Sequence, residues 1–380
     1  MRQELLPARG KFYKANLHMH TTISDGELTP EEVKRVFSDH GYSIVAFTDH
    51  EIIVPHNDLT DEHFLALTGF ETAVNLPHPP SWDFDFMTAC HMNFYAKDSG
   101  NVLCPAFCEE GVWLKHSRKY VTDAMRALSR RRDYSAECFN RMIAEANAAG
   151  FLVSLNHPVW SLQNYSDYCG MKGLWGVEVY NAGCALAGFP DTVQPLDDLL
   201  RLGQHVLPLS TDDGHLLQNC FYGYVMVKAE SLTYDAVMQA LEHGDLYAST
   251  GPSVGELFCE DGILHITTSP AAEITLTTER RFAVHTTAKP DEPLLGARFD
   301  LREYLHKSRT GPDANKNCYF RITIKDAAGR CAWTRSTNWA ACRSNTLIPI
   351  PAAIFSAVLP TTSTPLRTDL IRESCSSSPA

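Results

Sequence analysis

The sequence predicts an α/β fold, a (β/α) barrel built on seven strands and followed by a small antiparallel β-domain. Three observations predict it. Seven short apolar runs each lead into a His, Asp or Glu, and helix signals lie between several of them. Beyond Gly251-Pro252-Ser253 the pattern changes to period two.

The first run, 12–17, leads to His18 and His20, with Asp25 in the Ser-Asp-Gly turn that follows. Residues i and i+2 of a strand share a face, so the two imidazoles are expected side by side. Runs 42–47, 64–70 and 87–90 lead to His50, Glu71 and His91. Run 151–155 ends in Asn156-His157-Pro158, run 174–177 carries Glu178 and ends at Asn181, and run 205–209 ends in Ser-Thr-Asp212-Asp213-Gly-His215.

Thr29-Pro30-Glu31-Glu32 is a helix start, with Thr as N-cap, Pro at the first position and Glu at the third. That helix carries Val33, Val36 and Phe37 at helical spacing and stops at Gly41. Further helices are expected over 135–149, 195–202 and 233–243, each followed by Gly. Strand-helix alternation implies parallel pairing through right-handed crossovers. A barrel rather than an open doubly wound sheet brings all seven strand ends, and their polar residues, to one face. Residues 98–134 break the pattern as an insertion between the fourth and fifth strands, with one helix expected near 121–132. The barrel is therefore assigned to 1–254 and the β-domain to 255–342. The β-domain carries alternating runs at 263–268, 273–278, 282–286 and 319–324. The Pro/Ser/Thr-rich stretch 343–380 is expected to be an irregular or disordered tail.

Composition narrows the class. A net charge of -12 over 380 residues makes nucleic acid and anionic membranes poor partners. The Arg130-Arg131-Arg132 triplet is expected to be a solvated loop or helix end. No run approaches the ~18 apolar residues of a membrane span, and no secretory leader is apparent. Twelve scattered cysteines without a C-x-x-C pair suit free thiols in a reducing cytoplasm. His40, His63, His116 and His243 lie in helical or charged stretches and are expected at the surface, and His56 and His78 are loop bystanders.

In the order in which they occur, HMHTTISDG, FTDHE, GFE, CHMNFY, NHP and TDDGH resemble the PHP family of metal-dependent phosphoesterases, over about 12–250. The closing YASTGPS and the β-segment behind it resemble that family's carbaryl-hydrolase branch. The resemblance implies a distorted (β/α)7 PHP barrel holding two or three divalent ions, Mn, Fe or Zn. His18, His20 and Asp213 would bind the first, and Glu71 would bridge to a second held by His91 and His157. Asp25, His50 and His215 would hold a third. Asp213 is preferred over Asp212 because the family pattern is Asp-x-His. Three divalent ions and three carboxylates leave about +3 at the site, enough to attract a phosphate dianion into an acidic protein.

The implied activity is hydrolysis of a small phosphate ester, a phosphomonoester or phosphodiester such as a nucleotide or sugar phosphate, by a metal-activated hydroxide. Asp213, His50 and His215 are the catalytic candidates, the two histidines as general acids if the third site is empty. Two alternatives stand beside it: a metal-dependent carbamate, ester or amide hydrolase, and a non-catalytic PHP module that stabilises a partner. Around the ligands, Glu178 either orients a histidine or makes a structural ion pair, and Asp49 is a second supporting candidate. Trp160 and Tyr180 line the pocket or serve packing. Lys97, Lys115 and Arg118 fall in or beside the insertion without an assigned role, and the oligomeric state is left open.

Overall fold

The N-terminal half mixes strands and helices, though not in the strict alternation the periodicity predicts. Strand β1 (Arg2–Glu4) is followed by β2 (Lys11–Asn16), helix α1 (Pro30–Asp39), β3 (Ile44–Phe47), β4 (Leu65–Asn75) and β5 (Ala89–Ala96). The structure is a computed structural model describing residues 2–79, 81, 83, 86–189, 192–302 and 318–342. The expected tail, 343–380, lies outside those residues. Helices α2 (Asp123–Leu128) and α3 (Ala136–Ala148) precede β6 (Phe151–Leu155), α4 (Tyr165–Tyr168) and β7 (Gly176–Asn181). Then come α5 (Ala182–Leu186), α6 (Gln194–Arg201), β8 (Leu207–Thr211), β9 (Tyr224–Ala229), α7 (Tyr234–His243) and β10 (Leu246–Ser249).

Local chemistry explains the helix ends. Thr29 accepts from the Glu32 backbone N–H while the Glu32 carboxylate accepts from the Thr29 N–H, closing a reciprocal capping box ahead of Pro30. Helix α1 then buries Val33, Val36 and Phe37 against β3 and β4. Ser135 and Thr233 cap α3 and α7 by accepting from the Cys138 and Ala236 backbone N–H groups, and Gly244 ends α7 in the left-handed conformation.

The sheet departs from all-parallel pairing. β2, β3 and β4 run parallel, as do β6, β7 and β8, but β5 pairs antiparallel with both β4 and β6. β4 and β5 are thus antiparallel neighbours joined without a crossover to a parallel strand. In consequence Glu71 and His91 sit inside strands rather than at their ends, facing across the hairpin where Glu71 is opposite Asn93 and His91 opposite Ala73. Reversing β5 brings its first residues to the edge where the parallel strands end, which is how His91 reaches the other candidates. The sequence reading also passed over β9, which pairs antiparallel with β2. A bridge between Met19 and Gly214 brings the end of β8 back beside the end of β2, so the sheet curls round on itself. Apolar residues of β2, β3, β4, β8 and β9 pack with α7 in that curl.

The remaining strands are β11 (Val254–Glu260), β12 (Ile263–Ala271), β13 (Glu273–Thr278), β14 (Ala283–Thr287), β15 (Leu294–Asp300), β16 (Tyr319–Lys325), β17 (Cys331–Thr334) and β18 (Thr337–Asn338). All their pairings are antiparallel. One sheet has the order β1-β11-β12-β15. The other runs β14-β13-β16-β17-β10-β9-β2 and on through β3 to β8, with β18 on β16. The protein is thus a mixed α/β structure dominated by sheet. Among the described residues no helix is long and apolar enough to cross a membrane.

The segment 98–134 is tied to the rest of the chain by a buried ion pair. Glu51, with φ of 61°, accepts from Arg132 at 2.7 and 2.8 Å through its two carboxylate oxygens. Arg132 also donates to the Ala106 and Ala73 carbonyls, and Glu51 accepts from Thr72 and the Ala73 N–H. Arg132 is therefore not part of a solvated triplet: its side chain is 6% exposed. Removing one partner leaves a buried charge uncompensated, which costs about 3–5 kcal/mol. Arg132→Ala is expected to lower stability by that amount in denaturant unfolding. The Glu51→Gln/Arg132→Met double variant should recover part of the loss.

Candidate metal centre

Every side chain predicted as a ligand belongs to one cluster at the rim of the curled sheet. His18 and His20 follow β2, and their Nε2 atoms stand 3.1 Å apart. Both also lie 3.2 Å from Asp213 Oδ1. Glu71 is 1% exposed and has five imidazoles within 3.5 Å: those of His18, His20, His50, His91 and His157. Towards the mouth, Asp25 lies 3.4 Å from His215, 3.6 Å from His50 and 3.7 Å from His20.

Local backbone geometry aims these groups. Glu51, His157 and Asp213 have positive φ values of 61°, 25° and 52°, conformations that non-glycine residues adopt at a cost and that concentrate at functional sites. The Thr21–Gly26 turn is folded around the buried Asp49 carboxylate, which accepts from the Thr21 and Ser24 backbone N–H groups and from both hydroxyls. Asp49 therefore shapes the loop that presents His20 and Asp25 and makes no bond to a candidate ligand. Gly26 is required there, because a Cβ at that position would collide with the His20 carbonyl. Asp212 faces away from the cluster and accepts from the Phe221, Tyr222 and Gly223 N–H groups. Only Asp213 of the pair joins the histidines.

Glu178 touches the cluster directly. Its Oε1 lies 2.8 Å from His18 Nδ1 and accepts from the Thr211 hydroxyl at 2.6 Å, while Oε2 accepts from the His157 and Asn181 nitrogens. Of its two predicted roles, the geometry realises the orienting one. Asn156 donates to Glu71 at 2.8 Å, and Asn181 donates to Asp213 at 3.2 Å. Asn156, Asn181 and Thr211 escaped the sequence reading as functional residues. Their signal was a neutral polar residue closing a buried strand. Lys97 pairs with Glu242, and neither it nor Lys115 or Arg118 lines the cavity. His40, His56, His63, His78, His116 and His243 stay outside the cluster, although the His116 ring, in the insertion, donates from Nε2 to the Ser24 carbonyl at 2.5 Å.

The electrostatics divide the imidazoles. Burial opposes protonation of His18, yet Asp213, Glu71 and Glu178 outweigh it and hold its pKa well above the ordinary value. Burial together with His215 and His50 pushes His20 down to about 3. Burial also works against protonated His215, but its bond to Asp25 and the nearby Asp213 raise it to about 9. Glu71 and Asp213 are driven well below the carboxylate range by the surrounding histidines, despite burial.

The donor set fits divalent cations. Three groups of side chains each bring one donor atom within 4.8 Å of the others: His20, Asp25, His50 and His215; His18, Glu71 and His157; and His18, His20 and Asp213. Asp213 Oδ1 is buried and has no hydrogen-bond partner, as expected of an atom reserved for a ligand. Imidazole and carboxylate donors without a thiolate suit Mn, Fe or Zn. The cluster opens on a cavity of about 690 Å³ whose wall includes Trp113 and Trp160. Trp160 packs edge-on against His157 and His91, and Tyr180 lines a separate small pocket behind His157.

No protein-family model matches the sequence. No curated protein matches it either. PHP-like metal-dependent phosphoesterases are among its structural neighbours. A two-domain protein from Bacteroides vulgatus, containing a predicted PHP-like metal-dependent phosphoesterase, aligns over 88% of this chain and 98% of its own at 14% identity, with a TM-score of 0.42. A lesion-specific endonuclease from Pyrococcus furiosus aligns over 61% of this chain and 56% of its own at 12% identity, TM-score 0.37. An amidohydrolase from Chromobacterium violaceum aligns over 53% and 87% at 16% identity, TM-score 0.29. At such scores the functional reading rests on the side chains themselves.

Outer contacts to ligating histidines typically change metal affinity 10–100-fold. Glu178→Gln is therefore expected to weaken Mn²⁺ binding by that factor in calorimetric titration, with an unchanged circular dichroism spectrum. Unaltered affinity would show that Glu178 serves packing alone.

Proposed function

We propose that the protein is a metal-dependent hydrolase of small phosphate esters, phosphomonoesters or phosphodiesters. The observation that carries this reading is the convergence of five imidazoles and three carboxylates on adjoining donor groups, with His91 3.2 Å from Glu71 beside them, opening into one cavity. In this reading the curled sheet is a distorted PHP-type barrel over 1–254, and 255–342 is its accompanying β-domain. His18, His20 and Asp213 hold one ion. Glu71 would serve a second together with His91 and His157, and Asp25, His50 and His215 would hold a third. When bound, such ions supply positive charge to the phosphoryl oxygens and make a water molecule acidic near neutral pH.

The protein's own groups do the rest. Glu178 fixes the His18 ring, Asn156 steadies Glu71, and Asn181 steadies Asp213. Where no third ion is bound, Asp25 keeps a proton on His215, which stands one-third exposed at the mouth. With the third group unfilled, His215 or His50 is placed to protonate the departing alcohol. A partner of this chemistry is a small molecule, and the free thiols of the described cysteines suit a cytoplasmic setting.

A carbamate, ester or amide hydrolase would keep the cluster and change the electrophile. One observation favours that second reading: among the described residues lining the cavity, none is Lys or Arg. A non-catalytic module, by contrast, gives no reason for a complete donor set. Purified protein is expected to contain two or three Mn, Fe or Zn ions per chain by elemental analysis. Mn-loaded enzyme should release phosphate from p-nitrophenyl phosphate and lose that activity on chelation. His20→Ala and Asp213→Ala should each lower metal content by about one ion per chain and cut turnover by at least about a hundredfold. Turnover of an aryl carbamate with no phosphate release would sink the phosphoesterase reading in favour of the second.

A further inference from the structure

We propose that the cavity wall beyond the cluster seats a planar aromatic, uncharged leaving group, with Trp113 and Trp160 as the residues that select it. The inference deepens the hydrolase reading and rests on it. A cavity of about 690 Å³ falls in the range that encloses whole small organic ligands, well beyond the needs of a phosphoryl group alone. The part of the wall that does not belong to the donor groups therefore meets the rest of the substrate.

That wall is short of cations and mixes large apolar side chains with the polar Asn75 and Asn219. Trp113, Trp160, Met87 and Leu216 supply its large side chains, and no described lining residue is Lys or Arg. Of the carboxylates outside the cluster, Glu51 is neutralised by Arg132, whereas Glu110 faces the cavity from the insertion. A leaving group with further phosphates, as in a nucleoside triphosphate or a nucleic-acid strand, would meet Glu110 and no compensating charge. An aromatic group meets two indoles on different sides of the cluster. The Trp113 ring centre lies 6.3 Å from His50, and the Trp160 ring centre lies 5.1 Å from His157 and 5.9 Å from His91. Trp113 is also 61% exposed, so its ring is open to a ligand at the cavity mouth. In the reaction water supplies one oxygen to phosphorus, the P–O ester bond breaks, and the aryl alcohol departs with a proton.

The test compares leaving groups and reads binding separately from turnover. Mn-loaded enzyme is expected to favour phenyl phosphate over glycerol phosphate and ATP by at least tenfold in kcat/KM. Trp113→Ala, which alters an exposed residue and leaves the core intact, should raise KM for phenyl phosphate about tenfold with kcat little changed, and Trp113→Phe should restore most of it. Trp160→Ala should act in the same direction. Phenylphosphonate should quench tryptophan fluorescence and bind more tightly than methylphosphonate, with the difference reduced in Trp113→Ala. Equal kcat/KM across the three esters, or unchanged KM in both alanine variants, would overturn the aromatic seat. If no ester is hydrolysed while phenylphosphonate still binds in a Trp113-dependent way, the hydrolase reading fails and the seat stands. Absence of both turnover and aromatic preference overturns both.

Discussion

The Glu71 carboxylate is the constraint around which the site is built. A charge buried at 1% exposure in an apolar strand is tolerable only where opposite charge or a full set of donors surrounds it. Here five imidazoles and the Asn156 amide do so. The imidazoles in turn cannot all be charged at such spacing, and their pKa values separate: His18, His157 and His215 move up while His20 and His91 move down. Like groups pressed together in this way are costly for folding alone and chemically sensible for holding cations.

A layer of neutral and acidic groups keeps the cluster in place. Glu178 is its centre, linking the His18 ring, the His157 backbone, Asn181 and Thr211, so that β2, β6, β7 and β8 are joined through one buried carboxylate. Asp49 does equivalent work for the Thr21–Gly26 turn. The insertion adds a third support. It is locked to β4 through Arg132 and Glu51, and the Ser117 hydroxyl donates to the Ile23 carbonyl at 2.7 Å. The same segment carries Trp113 to the cavity mouth, so the brace that steadies the cluster also shapes the approach to it.

The candidate ligands were legible because strand and turn chemistry is local. A polar residue after an apolar run marks a strand end, and His-x-His places two rings on one face whatever the rest of the chain does. The helix caps at Thr29, Ser135 and Thr233 were legible for the same reason. Glu71 and His91 were found by type and place in the order of motifs, yet their position within a hairpin was not. An antiparallel reversal depends on which strand edges are free, and no single run encodes that.

By itself the sequence determined the elements with strong periods, the nine clustered side chains and the alternating strands that follow residue 254. Tertiary structure decided what depends on partners distant in sequence. It chose Glu178 as the support of His18, 160 residues away, and buried Arg132 against Glu51, 81 residues away. It also added β9 beside β2 and set two indoles around one cavity. An Arg in a charged triplet and a Glu inside a strand look alike as letters whether they face water or each other. Only the closing of the sheet removes the water and so decides which charges must be paired.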